Sequence, residues 1–158
     1  MNEWLQKIHR ENIYENLDNL LPFDPEVNNI DPVLDTVFGK YDKPEVTIIE
    51  VGSWKGSSAI AMANYFLNKS IKPTIFCVDT FGGSTFHREH ESHFLSMKCK
   101  NGFPTLYNQF LSNIIHAKLQ DYVIPIPHTS NDSCRYIKKL GIVADFCYID
   151  ACHEFEEV

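Results

Sequence analysis

Apolar and polar positions alternate along this chain in two distinct patterns. Four short segments are almost continuously apolar, which is typical of strands buried within a parallel sheet. They span residues 45–51, 73–79, 122–128 and 144–150. The third segment contains two prolines, which cannot donate a ladder hydrogen bond, so we expect this strand at an edge of the sheet.

Between these segments, apolar residues recur every three or four positions and predict helices. The helices are expected within residues 31–39, 57–67, 104–119 and 130–141, and a further helix begins after residue 150. The first 30 residues form a polar lead-in with a helical turn or two around Trp4. Residues 80–103 are too irregular to assign.

The helix within residues 31–39 carries its own boundary signals. Asp31 is expected to cap it, Pro32 suits the first helical position, and Gly39 is expected to end it. Four apolar residues are expected to share its buried face, namely Val33, Leu34, Val37 and Phe38.

The alternation of strands and helices predicts one α/β domain with a doubly wound, mostly parallel sheet. Such folds bind ligands at the carboxyl ends of their strands. Three acids stand at the ends of three predicted strands, namely Glu50, Asp79 and Asp150. We therefore expect the chemistry of the protein at this edge of the sheet.

Composition narrows the range of partners. The 158 residues suffice for one domain with a substantial core, and the net charge of −7 disfavours nucleic acid, whose binding needs Lys and Arg to neutralise phosphates. No segment approaches the ~20 apolar residues of a membrane span, and the polar start does not resemble a signal peptide. We expect a cytoplasmic protein that binds neither nucleic acid nor membranes.

The cysteines and histidines offer little for a structural metal. The five cysteines are odd in number and contain no C-x-x-C pair, and Cys77 and Cys147 are expected to be small buried hydrophobes within strands. His87, His90 and His93 could gather a metal if they were helical. The glycines before them and the charges between them fit a mobile lid over a substrate, which is the interpretation we favour.

The stretch Gly52–Gly56 after the first strand predicts a turn that handles a nucleotide. A dinucleotide fingerprint would read G-x-G-x-x-G, so that the backbone can approach a pyrophosphate. Here the middle glycine is absent, Trp54 occupies the crowded position, and Glu50 would repel a pyrophosphate but attract a cation. An adenosine ligand with an ammonium or sulfonium fits better, and Asp79 is placed to bind its ribose diol.

Three motifs in this order, EVGSWKGSS, CVDTFGGS and ADFCYIDACHEFEEV, carry a family resemblance. They resemble the class I S-adenosylmethionine-dependent methyltransferases, and more narrowly the small-molecule O-methyltransferase-like subgroup. The similarity runs from about Asp31 to Val158. It implies a helical or irregular lead-in over residues 1–30 and a partial S-adenosylmethionine-binding methyltransferase domain with a Rossmann-like fold over residues 31–158. The expected acceptor is a small molecule or sugar, methylated at oxygen.

The resemblance also implies a role for each matching position. The residues expected to bind the cofactor are Glu50, Gly52, Ser53, Gly56, Ser57, Asp79, Thr80, Phe81, Ser130 and Asn131. Glu50 would lie near the methionine ammonium, and Asp79 would hold the ribose. Phe81 replaces the usual Trp of the subgroup near the adenosine, and Ser130 and Asn131 would contact the adenine edge.

Methyl transfer to a hydroxyl needs a group that takes the proton, or a divalent metal that lowers the hydroxyl pKa. The family resemblance implies that Asp150 lies beside the transferring methyl and that His153 follows on a loop over the substrate. These two residues are therefore the catalytic candidates. Asp150 could also ligate Mg²⁺, although the acidic pair that completes such a site in relatives is missing. Alternatively, Asp150 caps the next helix.

Two other functions stay open on the sequence. A nicotinamide- or other nucleotide-binding enzyme would use the same edge of the sheet, although the missing middle glycine argues against it. A non-catalytic domain that retains the fold would bind no adenosyl ligand. The acceptor itself is not encoded in any motif.

The sequence stops one turn into the helix that follows the fourth predicted strand. The family that it resembles continues its sheet with further strands, so the fourth strand would be an unpaired edge, apolar on both faces. Either the sequence is a fragment of a longer protein, which we favour, or another subunit covers this edge. In a fragment, half of the substrate pocket would be absent.

The open fourth strand predicts self-association. We expect the 158-residue chain to be a homo-oligomer, dimeric or larger, because pairing between copies would cover the apolar edge. Light scattering coupled to size-exclusion chromatography measures the mass directly. A monodisperse monomer would contradict this expectation.

Overall fold

A computed structural model describes residues 2–26 and 30–151 of the chain. It contains one four-stranded, all-parallel sheet in the order β3-β2-β1-β4, flanked by helices. The strands are β1 (Glu45–Val51), β2 (Lys72–Val78), β3 (Val123–Ile126) and β4 (Phe146–Ile149). The helices are α1 (Glu3–His9), α2 (Asp31–Phe38), α3 (Ser57–Asn68), α4 (Thr85–Glu89), α5 (Glu91–Ser96), α6 (Leu106–His116) and α7 (Ser130–Lys139).

The strand order confirms the predicted α/β fold and locates its ligand-binding edge. The chain winds outward from β1 through β2 to β3, and then returns to place β4 on the other side of β1. This reversal leaves a crevice at the carboxyl ends of β1 and β4, where folds of this kind bind ligands. None of the described helices is long and apolar enough to cross a membrane.

Strand β1 explains how an acid comes to lie inside the sheet. Val46 and Ile48 are fully buried on one face, whereas the residues of the opposite face are only half-buried. Because side chains alternate along a strand, Glu50 follows Val46 and Ile48 onto the fully buried face. Within the parallel sheet, β1 is therefore fully buried on one face and only partly buried on the other.

The N-terminal segment covers the open edge of β3, the edge strand that its prolines predict. The Tyr14 hydroxyl of this segment donates to the Val123 carbonyl of β3 at 2.8 Å, and the His9 ring donates to the Pro125 carbonyl at 2.8 Å. Leu5 of α1 is buried. These contacts satisfy edge groups that would otherwise be exposed to other strands.

Helix α2 differs from the prediction in its cap and in its buried face. Ile30, not Asp31, occupies the cap position, although the helix does end at Gly39 as expected. Leu34 and Phe38 are buried, but Val33 and Val37 are each about half exposed. Residues four apart share a helical face, so the four apolar side chains form two neighbouring stripes and only one meets the core.

Strand β4 and the residues before α6 account for the remaining differences. Cys77 is buried as expected, but Cys147 is exposed, because β4 pairs only with β1 within the described part of the chain and its outer face is uncovered. Residues 80–103, which no periodicity could assign, contain the two short helices α4 and α5.

The two stripes of α2 give a direct test of its orientation. We expect Leu34→Ala to lower the free energy of unfolding by about 2–4 kcal/mol, because it removes buried methyl groups and leaves a cavity. Val33→Ala, one position away on the exposed stripe, should change it by less than about 0.5 kcal/mol. Urea titration followed by circular dichroism measures both. Equal losses would mean that α2 packs through both stripes.

Candidate functional site

The turn after β1 is shaped by close contact between two strand ends. Gly52 has φ +89° and donates its backbone N–H to the Val78 carbonyl at 2.9 Å. A Cβ atom at this position would lie 2.2 Å from the carbonyl oxygen of Asp150, so only glycine fits. The N–H of Asp150 in turn bonds the Val51 carbonyl at 2.8 Å. The turn is therefore wedged between β2 and the end of β4.

Asp79 holds this turn from the end of β2. One carboxylate oxygen accepts the backbone N–H groups of Ser53 at 2.9 Å and Trp54 at 2.8 Å, and the other accepts that of Phe81 at 2.6 Å. These bonds help to keep Trp54 in the left-handed region, at φ +48°. A carboxylate has about four acceptor sites, so Asp79 retains capacity for a ligand hydroxyl.

The second glycine of the turn joins it to the core. Gly56 has φ +86°, caps the start of α3, and approaches the Phe110 ring so closely that a Cβ atom would lie 3.0 Å from it. The next residue, Ser57, donates its hydroxyl to the backbone carbonyl of Glu26 at 2.8 Å.

A cleft of about 900 Å³ opens at the carboxyl ends of the strands. This volume is within the range of sites for small molecules and cofactors. Its walls are the ends of β1 and β2, helix α4, the start of α7 and the end of β4. The predicted site residues that line it are Gly52, Asp79, Thr80, Ser130 and Asp150.

A smaller cavity of about 200 Å³ lies on the α3 side of the same turn. Its walls contain the predicted residues Gly52, Ser53 and Ser57, together with Asp150. Trp54 borders both cavities. Gly52 and Asp150 border both as well, so the glycine turn and the residue after β4 lie between the two cavities.

Glu50 lies beneath the turn rather than in either cavity. Its side chain is fully buried, and one carboxyl oxygen accepts the Ser58 hydroxyl, while the other has no hydrogen-bond partner among the described residues. Burial raises the pKa of Glu50, and the nearby hydrogen-bonding groups offset this only in part. Its predicted contact with a methionine ammonium stays a prediction.

Three other predicted residues are not brought to the cleft. The Phe81 ring is buried and packs against Tyr107, at 5.0 Å between ring centroids, and against Phe110, at 5.2 Å. Asn131 is exposed and borders neither cavity, and His153 lies outside the described residues. The roles predicted for these residues stay untested.

The predicted Mg²⁺ site at Asp150 receives no support. Asp150 accepts a hydrogen bond from the Tyr148 hydroxyl at 3.2 Å. Within residues 2–26 and 30–151, no group of three or more His, Cys, Asp or Glu side chains is arranged to hold a metal ion. This includes His87, His90 and His93, so neither metal interpretation is carried further.

The turn also contains a buried lysine that sequence reasoning missed. The Lys55 side chain is 4% exposed, and its ammonium lies 3.2 Å from an oxygen of Asp24 and 2.9 Å from one of Glu26. Burial alone would raise the pKa of both carboxyls, but hydrogen bonds lower the pKa of each below its ordinary value, from Lys98 and Lys55 at Asp24 and from Lys55 and Trp54 at Glu26. No periodicity marks such a contact, because it links segments about 30 residues apart.

The segment that carries these acids, which we call the strap (residues 19–26), is held by α6. Asn113 accepts the Asp24 N–H at 2.9 Å and donates to the Lys55 carbonyl at 2.8 Å. Gln109 donates to the Pro22 carbonyl at 2.8 Å, and Ser112 accepts the Leu21 N–H at 3.0 Å. Buried polar residues of α6 thus fix the strap and the glycine turn to one another.

The chain matches a known protein family. A family model with the description "Methyltransferase domain" matches residues 49–158. This range includes the glycine turn, the cleft residues and the whole sheet except the first four residues of β1. No curated protein matches the chain significantly.

We predict that the Lys55 pairs stabilise the fold in a pH-dependent way. Lys55→Met should lower the free energy of unfolding by about 1–2 kcal/mol at pH 7, because the hydrogen bonds to two carboxylates are lost. The lowered pKa values of Asp24 and Glu26 stabilise the fold above the unfolded carboxyl pKa of about 4, and this contribution is lost as the pH falls through the folded values. The difference between wild type and variant should therefore shrink on acidification.

Lys72→Met is the matched control for this experiment. Lys72 pairs with Glu45 at 3.2 Å, but both side chains are more than half exposed, so its loss should cost less than about 0.5 kcal/mol at any pH. Urea titrations from pH 7 to pH 3 compare the variants. A loss at Lys55 no larger than that at Lys72, or one independent of pH, would contradict the prediction.

Proposed function

Because the chain belongs to the methyltransferase domain family over residues 49–158, we propose that it transfers a methyl group from S-adenosylmethionine to an oxygen of a small-molecule or sugar acceptor. One observation supports this most strongly. The glycine turn, Asp79 and Asp150, which come from three separate strand ends, all line one cleft at the reversal of the strand order.

The charge around the cleft favours this cofactor over a dinucleotide. Asp79 and Asp150 line the cleft beside the glycine turn and Glu50 lies beneath the turn, so a pyrophosphate at the turn would lie near these acids. Arg88 of α4 is a cation of the opposite wall, and its guanidinium donates to the Gly82 carbonyl at 3.0 Å. A sulfonium and an ammonium are cations, and the ribose diol offers hydroxyls that a carboxylate binds well. The residues present therefore fit S-adenosylmethionine.

We assign the binding roles from this geometry. Asp79 binds the ribose with the acceptor capacity that the turn leaves, and Gly52 allows the ligand to approach the backbone. Thr80 and Ser130 line the same cleft and supply hydroxyl groups for hydrogen bonds. Glu50, being buried, supports the turn from below through its hydrogen bond with Ser58, and it keeps its predicted place near the ammonium of the ligand.

S-Adenosylmethionine would supply an activated methyl group on its sulfonium. The remaining tasks of the protein are to align the acceptor oxygen, exclude water and take a proton. Asp150 is exposed in the cleft at the end of β4, so it is the described residue that we assign to the acceptor proton. His153, three positions later, keeps its predicted role as the alternative base.

The surroundings that we propose follow from the surface of the chain. The net charge of −7 supports partners that are small molecules rather than nucleic acid. The cytoplasmic location expected from the sequence stays part of this proposal. Ile149 on the outer face of β4 is 62% exposed, which supports self-association through this strand.

Calorimetric titration with S-adenosylhomocysteine, the demethylated cofactor, tests the proposal. We expect wild type to bind, and Asp79→Ala to weaken binding by about 10- to 100-fold, since charge-assisted hydrogen bonds contribute about 1.5–3 kcal/mol. NAD should not bind, because the turn lacks the fingerprint for a pyrophosphate.

Asp145→Ala is the matched control. Asp145 also accepts a backbone N–H, from Thr47 at 3.0 Å, and pairs with Lys43, but it lies at the opposite end of β1 from the cleft. Its removal should leave the affinity for S-adenosylhomocysteine unchanged. Binding of NAD, or absence of S-adenosylhomocysteine binding by wild type, would contradict the proposed function.

A further inference from the structure

Helix α4 brings His87 to the wall of the cleft, directly against the glycine turn. The imidazole lies on the indole ring of Trp54, with 4.2 Å between ring centroids and 18° between the planes. His87 is half-buried and lines the cleft beside Ser84 and Thr85. Its ring therefore faces the space where the proposed cofactor would bind.

The start of α4 fixes which ring nitrogen of His87 carries the proton. The backbone N–H of Ser84 points at Nδ1 at 3.1 Å, and the Ser84 hydroxyl lies 2.6 Å from the same atom. A backbone N–H can only donate, so Nδ1 must accept. A neutral ring that accepts at Nδ1 carries its proton on Nε2.

This tautomer excludes two roles for Nε2 of His87. A general base or a metal ligand needs a free lone pair on Nε2, and that would place the proton on Nδ1, opposite the Ser84 N–H. His90 shows the contrasting case, because its Nδ1 lies 2.9 Å from the Phe86 carbonyl and must donate. Nε2 of His87 has no hydrogen-bond partner in the described part of the chain.

The groups around His87 keep it neutral. Burial lowers its pKa, and the nearby His93 of α5 lowers it further. Asp79 at the end of β2 and Glu26 of the strap act in the opposite direction but do not outweigh burial. Near neutral pH, the ring is therefore a hydrogen-bond donor without charge, and it can bind an oxygen without competing for a proton.

We propose that the Nε2–H of His87 donates a hydrogen bond to an oxygen of the adenosyl cofactor. The proposal rests on the proposed function, because it takes the ligand from there. The cofactor, rather than the methyl acceptor, is the source of the oxygen because His87 lies on Trp54 of the glycine turn and close to Asp79. The candidate oxygens are those of the ribose and of the methionine carboxylate.

The tautomer can be measured without any ligand. Long-range ¹H–¹⁵N correlation spectra of labelled protein distinguish a protonated Nε2 from a protonated Nδ1. We expect His87 as the Nε2–H form near neutral pH and His90 as the Nδ1–H form. A proton on Nδ1 of His87 would overturn the proposal, whatever the protein binds.

Two isosteric variants separate the donor from the helix cap. Gln and Glu both suit this position of a capping box, because a side-chain oxygen can accept the Ser84 N–H. Only Gln also offers a donor. In calorimetric titrations with S-adenosylhomocysteine, we expect His87→Gln to bind within about 3-fold of wild type and His87→Glu to bind about 10-fold more weakly or worse.

Further arms remove the remaining ambiguities. The loss in His87→Glu should persist at about 0.5 M salt, where a long-range charge effect is screened. Titration with 5′-methylthioadenosine, which lacks the carboxylate, assigns the oxygen. If His87→Glu also binds this ligand more weakly than wild type, the oxygen is on the ribose. If the two proteins bind it equally well, the oxygen is on the carboxylate. His90→Gln, a change outside the cleft wall, should bind as wild type.

The outcomes distinguish this proposal from the proposed function. If wild type binds S-adenosylhomocysteine and His87→Glu binds equally well, His87 is not a cofactor donor, and the proposed function stands. If wild type does not bind S-adenosylhomocysteine, the proposed function fails, and the ligand proposed for His87 is rejected with it.

Discussion

The contact between the backbone of Gly52 and that of Asp150 is the constraint on which the rest of the site depends. A side chain at position 52 would overlap the end of β4, so the turn after β1 can form only where two strand ends meet this closely. The Gly52 N–H also binds the end of β2. Three strands thereby converge on one turn, and the residues that follow each of them line a common cleft. The site is thus a consequence of how the sheet closes.

Around this turn, charged groups are paired within the protein before any ligand arrives. Asp79 accepts three backbone N–H groups, and buried Lys55 is neutralised by Asp24 and Glu26. Such bonds fix the turn in one conformation, so a ligand need not supply the energy to order it. Glu50 differs, because one of its buried oxygens lacks a hydrogen-bond partner among the described residues. Burial raises the pKa of this carboxyl, so a cation at the turn would favour its ionised form.

The sequence predicted those parts of the molecule that repeat or alternate, and missed those that depend on single distant contacts. The strands, α3, α6 and α7 follow from apolar periodicity, and the edge position of β3 follows from its prolines. The inward direction of Phe81 and the burial of Lys55 could not be predicted, because they depend on α6 and on the strap. Asp79 was placed correctly at a strand end, but its bonds to the turn became visible only in the folded chain. Polar contacts between residues far apart in the sequence produce no periodic pattern of residue types, so the sequence alone does not reveal them.

The two sides of the cleft differ in how firmly they are held. Moving Gly52 or Asp79 would break ladder hydrogen bonds at the centre of the sheet. Helix α4, in contrast, has five residues and no buried side chain, and it meets the turn through the stack of His87 on Trp54. Segments with few buried contacts open at low cost. The lid expected from the sequence stays a prediction. If α4 opens in this way, the stack of His87 on Trp54 must separate, and both of these rings border the cleft.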